Sequence, residues 1–219
     1  MRNNQKTKQL VLFSMFAAII IVLAFTPVGF IQLGFIKATI IHVPVIIASL
    51  LLGPKMGAGL GFLFGVTSII NNTATPAVLS FVFSPLIPVP GSDRGSLLAL
   101  VICFIPRILV GVVPWYVNKL LTKVLRGKGE VLTLAVSGVA GAMTNTLLVM
   151  HLIYFLFSEA YANVRGLSID MVYGAVLTVI FANGVPEALM AGFLTAAVCK
   201  PLSKLDILAL NSPPANLAD

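Results

Sequence analysis

Long apolar runs follow one another along the 219-residue chain, at roughly 9–29, 38–53, 55–72, 96–118, 131–157 and 170–199. A helix needs about 20 apolar residues to cross a bilayer. Helices satisfy their own backbone hydrogen bonds, which is what a hydrocarbon interior demands. The runs therefore predict an all-α integral membrane protein, a six-transmembrane-helix bundle occupying 1–219 as a single membrane domain. Charged residues are 10% of the chain and mean hydropathy is +1.04. Soluble domains carry about 25% charge, so a soluble fold is excluded. Six spans leave no room for an ATPase domain, and the phosphate-loop pattern G-x-x-x-x-G-K-[ST] is absent from the sequence.

Arg2, Lys6 and Lys8 ahead of Leu10–Phe25 resemble a signal peptide. Signal cores run about 7–15 residues, however, and this run is longer, so it is read as a retained first helix. Lys and Arg fix the orientation. Arg2, Lys6, Lys8, Lys55, Lys119, Lys123, Arg126, Lys128, Lys200 and Lys204 fall on one side, against Lys37, Arg94 and Arg165 on the other. Both termini are therefore expected to be cytoplasmic. The net charge of +7 lies between apolar runs rather than on a polar face, which argues against a nucleic-acid partner.

Two longer connections remain, 73–95 and 158–169. The first holds Pro76, Pro85, Pro88, Pro90 and Gly91 together with Phe81, Val82 and Phe83. That mixture predicts an ordered cap, an extracellular gating loop over a solute. Residues 211–219, with Pro213 and Pro214, are expected to be a disordered tail. Gly53-Pro54-Lys55 marks a tight hairpin. Gly53, Gly57, Gly61 and Gly65 recur every fourth residue. This ridge permits close helix approach, read first as packing within the bundle and second as a subunit contact. Cys103 and Cys199 have no metal-ligand spacing and are read as apolar packers.

Polar groups at membrane depth default to functional hypotheses. Arg107, Asn145 and Asn183 each lie about a dozen residues in from the outer ends of spans four, five and six, hence at similar depth. Glu187 follows Asn183 at i+4 on the same face. His151 sits nearer the outer surface, and Asn71 and Asn72 end span three there. Together they outline a polar cavity open to the outside. Arg107, with five donors and a permanent charge, suits a carboxylate, and Asn145 and Asn183 suit hydroxyls or an amide. The alternative is that Arg107 and Glu187 pair with each other. His42 and His151 are read as helix packers rather than metal ligands, since no thiolate or carboxylate clusters with them. Pro106 and Pro186 directly precede Arg107 and Glu187. A mid-membrane proline frees a carbonyl one turn earlier, which is tolerated beside a cavity.

The stretches Phe25–Ala48 and Leu52–Phe62 resemble the start of an S component, the substrate-binding membrane subunit of energy-coupling factor (ECF) vitamin transporters. The resemblance covers nearly the whole chain. Ser14 and Ala18 match that family's Ala-x-x-x-Ala coupling motif, with serine in the first position. The segments 80–85, 103–114 and 183–187 are most similar to the pantothenate-specific branch. The resemblance implies docking of Ser14 and Ala18 on a transmembrane coupling subunit, energy from two ATPase subunits, a vitamin bound near the outer face, no cofactor and no catalysis. Pantothenate's carboxylate, two hydroxyls and amide fit one arginine and two asparagines. Folate, riboflavin or a pyrimidine precursor are the rival solutes, although no dense aromatic cluster lies at cavity depth to favour a large ring. A structural membrane subunit would have no need of Arg107, and a lipid-acting enzyme would need a nucleophile–base pair or a metal cluster.

Overall fold

The computed structural model describes residues 2–26, 29–33 and 36–203. Helix α1 (Arg2–Phe25) buries Phe16, Ile20 and Ala24 in the core, packs Leu12, Phe13, Ala17 and Leu23 partly against it, and leaves Leu10, Val11, Met15 and Val22 exposed. A single buried row at i, i+4, i+8 is what a peripheral helix in lipid needs, since its other faces meet solvent as apolar as themselves.

An antiparallel hairpin follows, a small strand element in the connection that the all-α expectation left without structure. Strand β1 (Phe30–Leu33) pairs with β2 (Ile36–Thr39), Phe30 opposite Thr39 and Leu33 opposite Ile36. Aromatic and β-branched residues in these stretches favour strand. The 38–53 run therefore becomes helix only at α2 (His42–Leu52), every residue of which is buried. A helix apolar all round belongs inside a bundle. At 11 residues it is about 16 Å long, an axis for the fold rather than a full span by itself.

Gly53 ends α2 with φ +91°, a conformation that side chains disfavour, and Pro54 opens α3 (Pro54–Ala74) at a position where a missing N–H is harmless. The expected hairpin is thus present. The glycine ridge of α3 packs inside the molecule, against α4 (Leu98–Val110) and the turn after it. A methyl on Gly57 would lie 2.1 Å from the carbonyl oxygen of Gly111, and one on Gly61 2.2 Å from that of Arg107.

The fourth run is broken after α4 at Gly111 and Val112 and resumes as α5 (Val113–Val124), with Pro114 in its first turn. Helix α6 (Glu130–Arg165) bends at Phe157 and continues through most of 158–169, so that expected loop shrinks to a short turn. The sixth run divides into α7 (Ile169–Val179), a π-helical turn at Ile180–Gly184, and α8 (Val185–Ser203). Gly138 and Gly192 bring α6 and α8 together backbone to backbone, and Lys200 pairs with Glu130 across their ends.

Among the described residues, four stretches are long and apolar enough to cross a membrane: Gln5–Phe25, Leu98–Val124, Glu130–Arg165 and Ile169–Ser203. Buried apolar side chains among the described residues form two clusters. One surrounds α2; the other joins Phe81 and Val82 to the far ends of α6 and α7. The 211–219 tail lies outside the described residues. The glycine ridge yields a paired expectation. Gly61→Ala should cost about 1–3 kcal/mol of stability, read as a lower unfolding temperature in detergent. Gly59→Ala, whose methyl meets the Phe13 ring at 3.4 Å, should leave that temperature unchanged or raise it, since alanine is the better helix former.

Candidate functional site

A cavity of about 560 Å³ opens between the two apolar clusters, within the range of small-molecule sites. Helix α3 supplies its longest wall. Phe64, Thr67, Ser68, Asn71, Asn72 and Thr75 line it, and their spacing of three, one, three, one and three is one face of a helix. This polar stripe is readable in the sequence, yet attention to isolated polar residues passes over all of it but the two asparagines. Opposite stand Arg107 from α4, Asn145 and Val149 from α6, and Glu187 from α8, with Phe83 from the 73–95 segment.

Arg107 is 6% exposed. Its guanidinium carbon lies 5.1 Å from the Phe83 ring centroid and 5.7 Å from that of Phe64. Two ring faces thus stabilise the cation electrostatically. Nη1 donates to the Ile102 carbonyl. Nε of Arg107 and Oδ1 of Asn145 are shielded from solvent and have no hydrogen-bond partner. Leaving such groups unmet costs about 1–3 kcal/mol each. One is a donor and the other an acceptor, so a solute carrying both an acceptor and a hydroxyl or amide proton completes both.

Of the seven residues singled out for binding, Arg107, Asn145, Glu187, Asn71 and Asn72 line this cavity. Asn183 and His151 do not. Asn183 falls in the π turn, where the extra residue per turn rotates it away from the register that a regular helix predicts. His151 bonds the Leu147 carbonyl of its own helix and packs its ring on Tyr173. His42 is buried at the start of α2, outside the lining.

The 73–95 segment is clasped to the cavity wall. Asn72 donates to the Ser68 carbonyl and accepts from the Ser80 hydroxyl at 2.8 Å. Thr73 and Ser84 share a hydroxyl bond of 2.7 Å, and the Cys103 thiol donates to the Phe83 carbonyl. Phe81, Val82 and Ser84 are buried. The clasp holds Phe83 over Arg107. On α1, Ser14 and Ala18 are exposed, away from the cavity.

A helical bundle with several membrane-length apolar stretches around a chamber holding a buried cation is a multi-pass membrane protein built to receive a polar solute. The family model for the substrate-specific component of ECF transporters matches residues 8–199, and the chain belongs to that family. It is 37% identical over 169 residues to the pantothenic acid transporter PanT of Lactococcus lactis subsp. cremoris (strain MG1363), covering 77% of this chain and 79% of that one. It is 30% identical over 206 residues to the pantothenate transporter PanT of Leuconostoc mesenteroides subsp. mesenteroides (strain ATCC 8293), covering 90% and 92%. Among solved structures it resembles the S-component for biotin from an ECF-type ABC transporter. The TM-score is 0.52 at 20% identity, over 91% of this chain and 95% of that one, a likeness of fold.

The clasp gives a second expectation. Asn72→Ala removes one hydrogen bond of about 1 kcal/mol, so amide deuterium exchange across 77–84 should quicken about fivefold while that of 98–110 stays as it was.

Proposed function

We propose that this chain is the pantothenate-binding S component of an ECF transporter, taking up the vitamin with energy from two ATPase subunits relayed through a transmembrane coupling subunit. The observation that carries the reading is the unmet pair in the cavity, the Arg107 Nε donor and the Asn145 Oδ1 acceptor. Pantothenate brings a carboxylate for the first and hydroxyl or amide protons for the second. Asn71, Asn72 and Glu187 offer further partners for its two hydroxyls. The names of the two PanT relatives point the same way.

In this reading six spans cross the bilayer: α1, the hairpin with α2, α3, α4 with α5, α6, and α7 with α8. Both termini are cytoplasmic, because exposed Lys119, Lys123, Arg126 and Lys128 gather at the α5–α6 turn and basic residues favour the inner side. The 73–95 segment faces outward and acts as the gate. Its release from Asn72, Thr73 and Cys103 admits the solute, and its closure returns Phe83 to the guanidinium and excludes water. The solute leaves chemically unchanged.

Two expectations test this. A charge-assisted hydrogen bond contributes roughly 1.5–3 kcal/mol, about one to two decades of affinity. Arg107→Ala should lose most pantothenate binding by isothermal titration calorimetry, and Arg107→Lys, which lacks the planar fork, should keep part of it. Combining Arg107→Ala with Glu187→Gln removes the charge imbalance; full affinity in that double variant would overturn the assignment. For docking, Ala18→Trp on the exposed face of α1 should block close helix approach and abolish copurification with the coupling subunit, leaving pantothenate binding by the isolated chain intact.

A further inference from the structure

Helix α4 carries a buried proline in its interior, Pro106. Proline has no N–H, so the Ile102 carbonyl four residues back loses its helical partner. Ile102 is fully buried, where an unpaired carbonyl is costly. The partner that replaces the missing N–H is the next residue's side chain: Nη1 of Arg107 donates to that oxygen. Helical side chains lean towards the N-terminal end of their helix, so the reach from position 107 back to 102 needs no unusual course. The bond leaves Nε unpartnered at the cavity and the guanidinium beside the rings of Phe64 and Phe83. Pro44 and Pro114 differ, since both stand in the first turns of their helices, where no intrahelical bond is lost.

We infer that Pro106 is a positioning residue for solute binding: by withholding its N–H it presents the Ile102 carbonyl to Arg107 and fixes the guanidinium in its receiving orientation. The inference rests on the reading of Arg107 as the carboxylate ligand. In a chain with an ordinary residue at 106, the backbone N–H competes for that carbonyl, and the bond that orients Arg107 is weakened. The ordering cost then falls on affinity. Helix stability moves the other way, because an interior proline is unfavourable.

The test compares pantothenate Kd and unfolding temperature for three proteins beside wild type. Pro106→Ala restores the N–H and is expected to weaken binding about 5- to 10-fold, the worth of one hydrogen bond, with the unfolding temperature unchanged or raised. The second protein carries lactic acid, the α-hydroxy analogue of alanine, at 106 by nonsense suppression. It has neither the N–H nor the ring and should bind as wild type does. The third, Arg107→Ala with Glu187→Gln, should bind poorly. Wild-type affinity in Pro106→Ala, or an equal loss in the alanine and lactic-acid proteins, overturns the role of the freed carbonyl while the carboxylate assignment stands. Wild-type affinity in the third protein overturns that assignment itself. Should Pro106→Ala fail to fold, Pro106→Leu, which also restores the N–H, takes its place and is read against the lactic-acid protein by the same outcomes.

Discussion

A guanidinium buried in a bundle that sits in lipid is the costliest group in this molecule, and the surrounding architecture is arranged around keeping it there. Arg107 has an aromatic ring from α3, another from the 73–95 segment, and a carbonyl from its own helix. The first requires α3 and α4 to approach at backbone distance, which glycines 57, 61 and 65 allow. The second requires the connecting segment to be fastened down, which hydroxyls, an asparagine and a thiol do. The third requires a break in helical bonding, which a proline provides. Packing ridge, cap and helix defect are thus three answers to one electrostatic problem.

The chamber lies where the two apolar clusters fail to merge. One cluster is organised by α2 and the other by the C-terminal half of α6 with α7, and among the described residues Met143 packs against both. Polar walls occupy the seam. In the proposed binding mode, a solute entering there exchanges water for the fixed donors and acceptors of those walls.

Much of this was legible in the residues. Apolar runs mark the helical segments because hydrocarbon imposes one length and one patterning on every span. Arg107, Asn145 and Glu187 stand out because few polar groups survive at that depth. Other features escape such reading for identifiable reasons. The strands Phe30–Leu33 and Ile36–Thr39 lie mostly in the short connection between the first two apolar runs, where four-residue stretches are too short for periodicity to show strand. Gly111 with Pro114, and the π turn before Pro186, interrupt spans without interrupting their apolarity. That turn also explains Asn183, whose facing departs from the one a regular helix would give it. His151 was close in sequence to the site yet faces Tyr173. The α3 stripe needed only a helical wheel, since its threonines and serine are too mild in polarity to draw notice singly.

Helix α3 presents two neighbouring longitudinal faces with different tasks. The glycine face has almost no tolerance for added atoms, whereas the stripe from Phe64 to Thr75 borders open volume. Sequence drift along this helix is consequently anisotropic. Added atoms on the first face push into neighbouring backbone, whereas the second meets open volume, save that the Asn71 and Asn72 amides also tie α3 to α1 and to the 73–95 segment. A lineage built on such a helix is able to exchange its cargo through a handful of side chains on one rail, keeping the frame on which its partners depend.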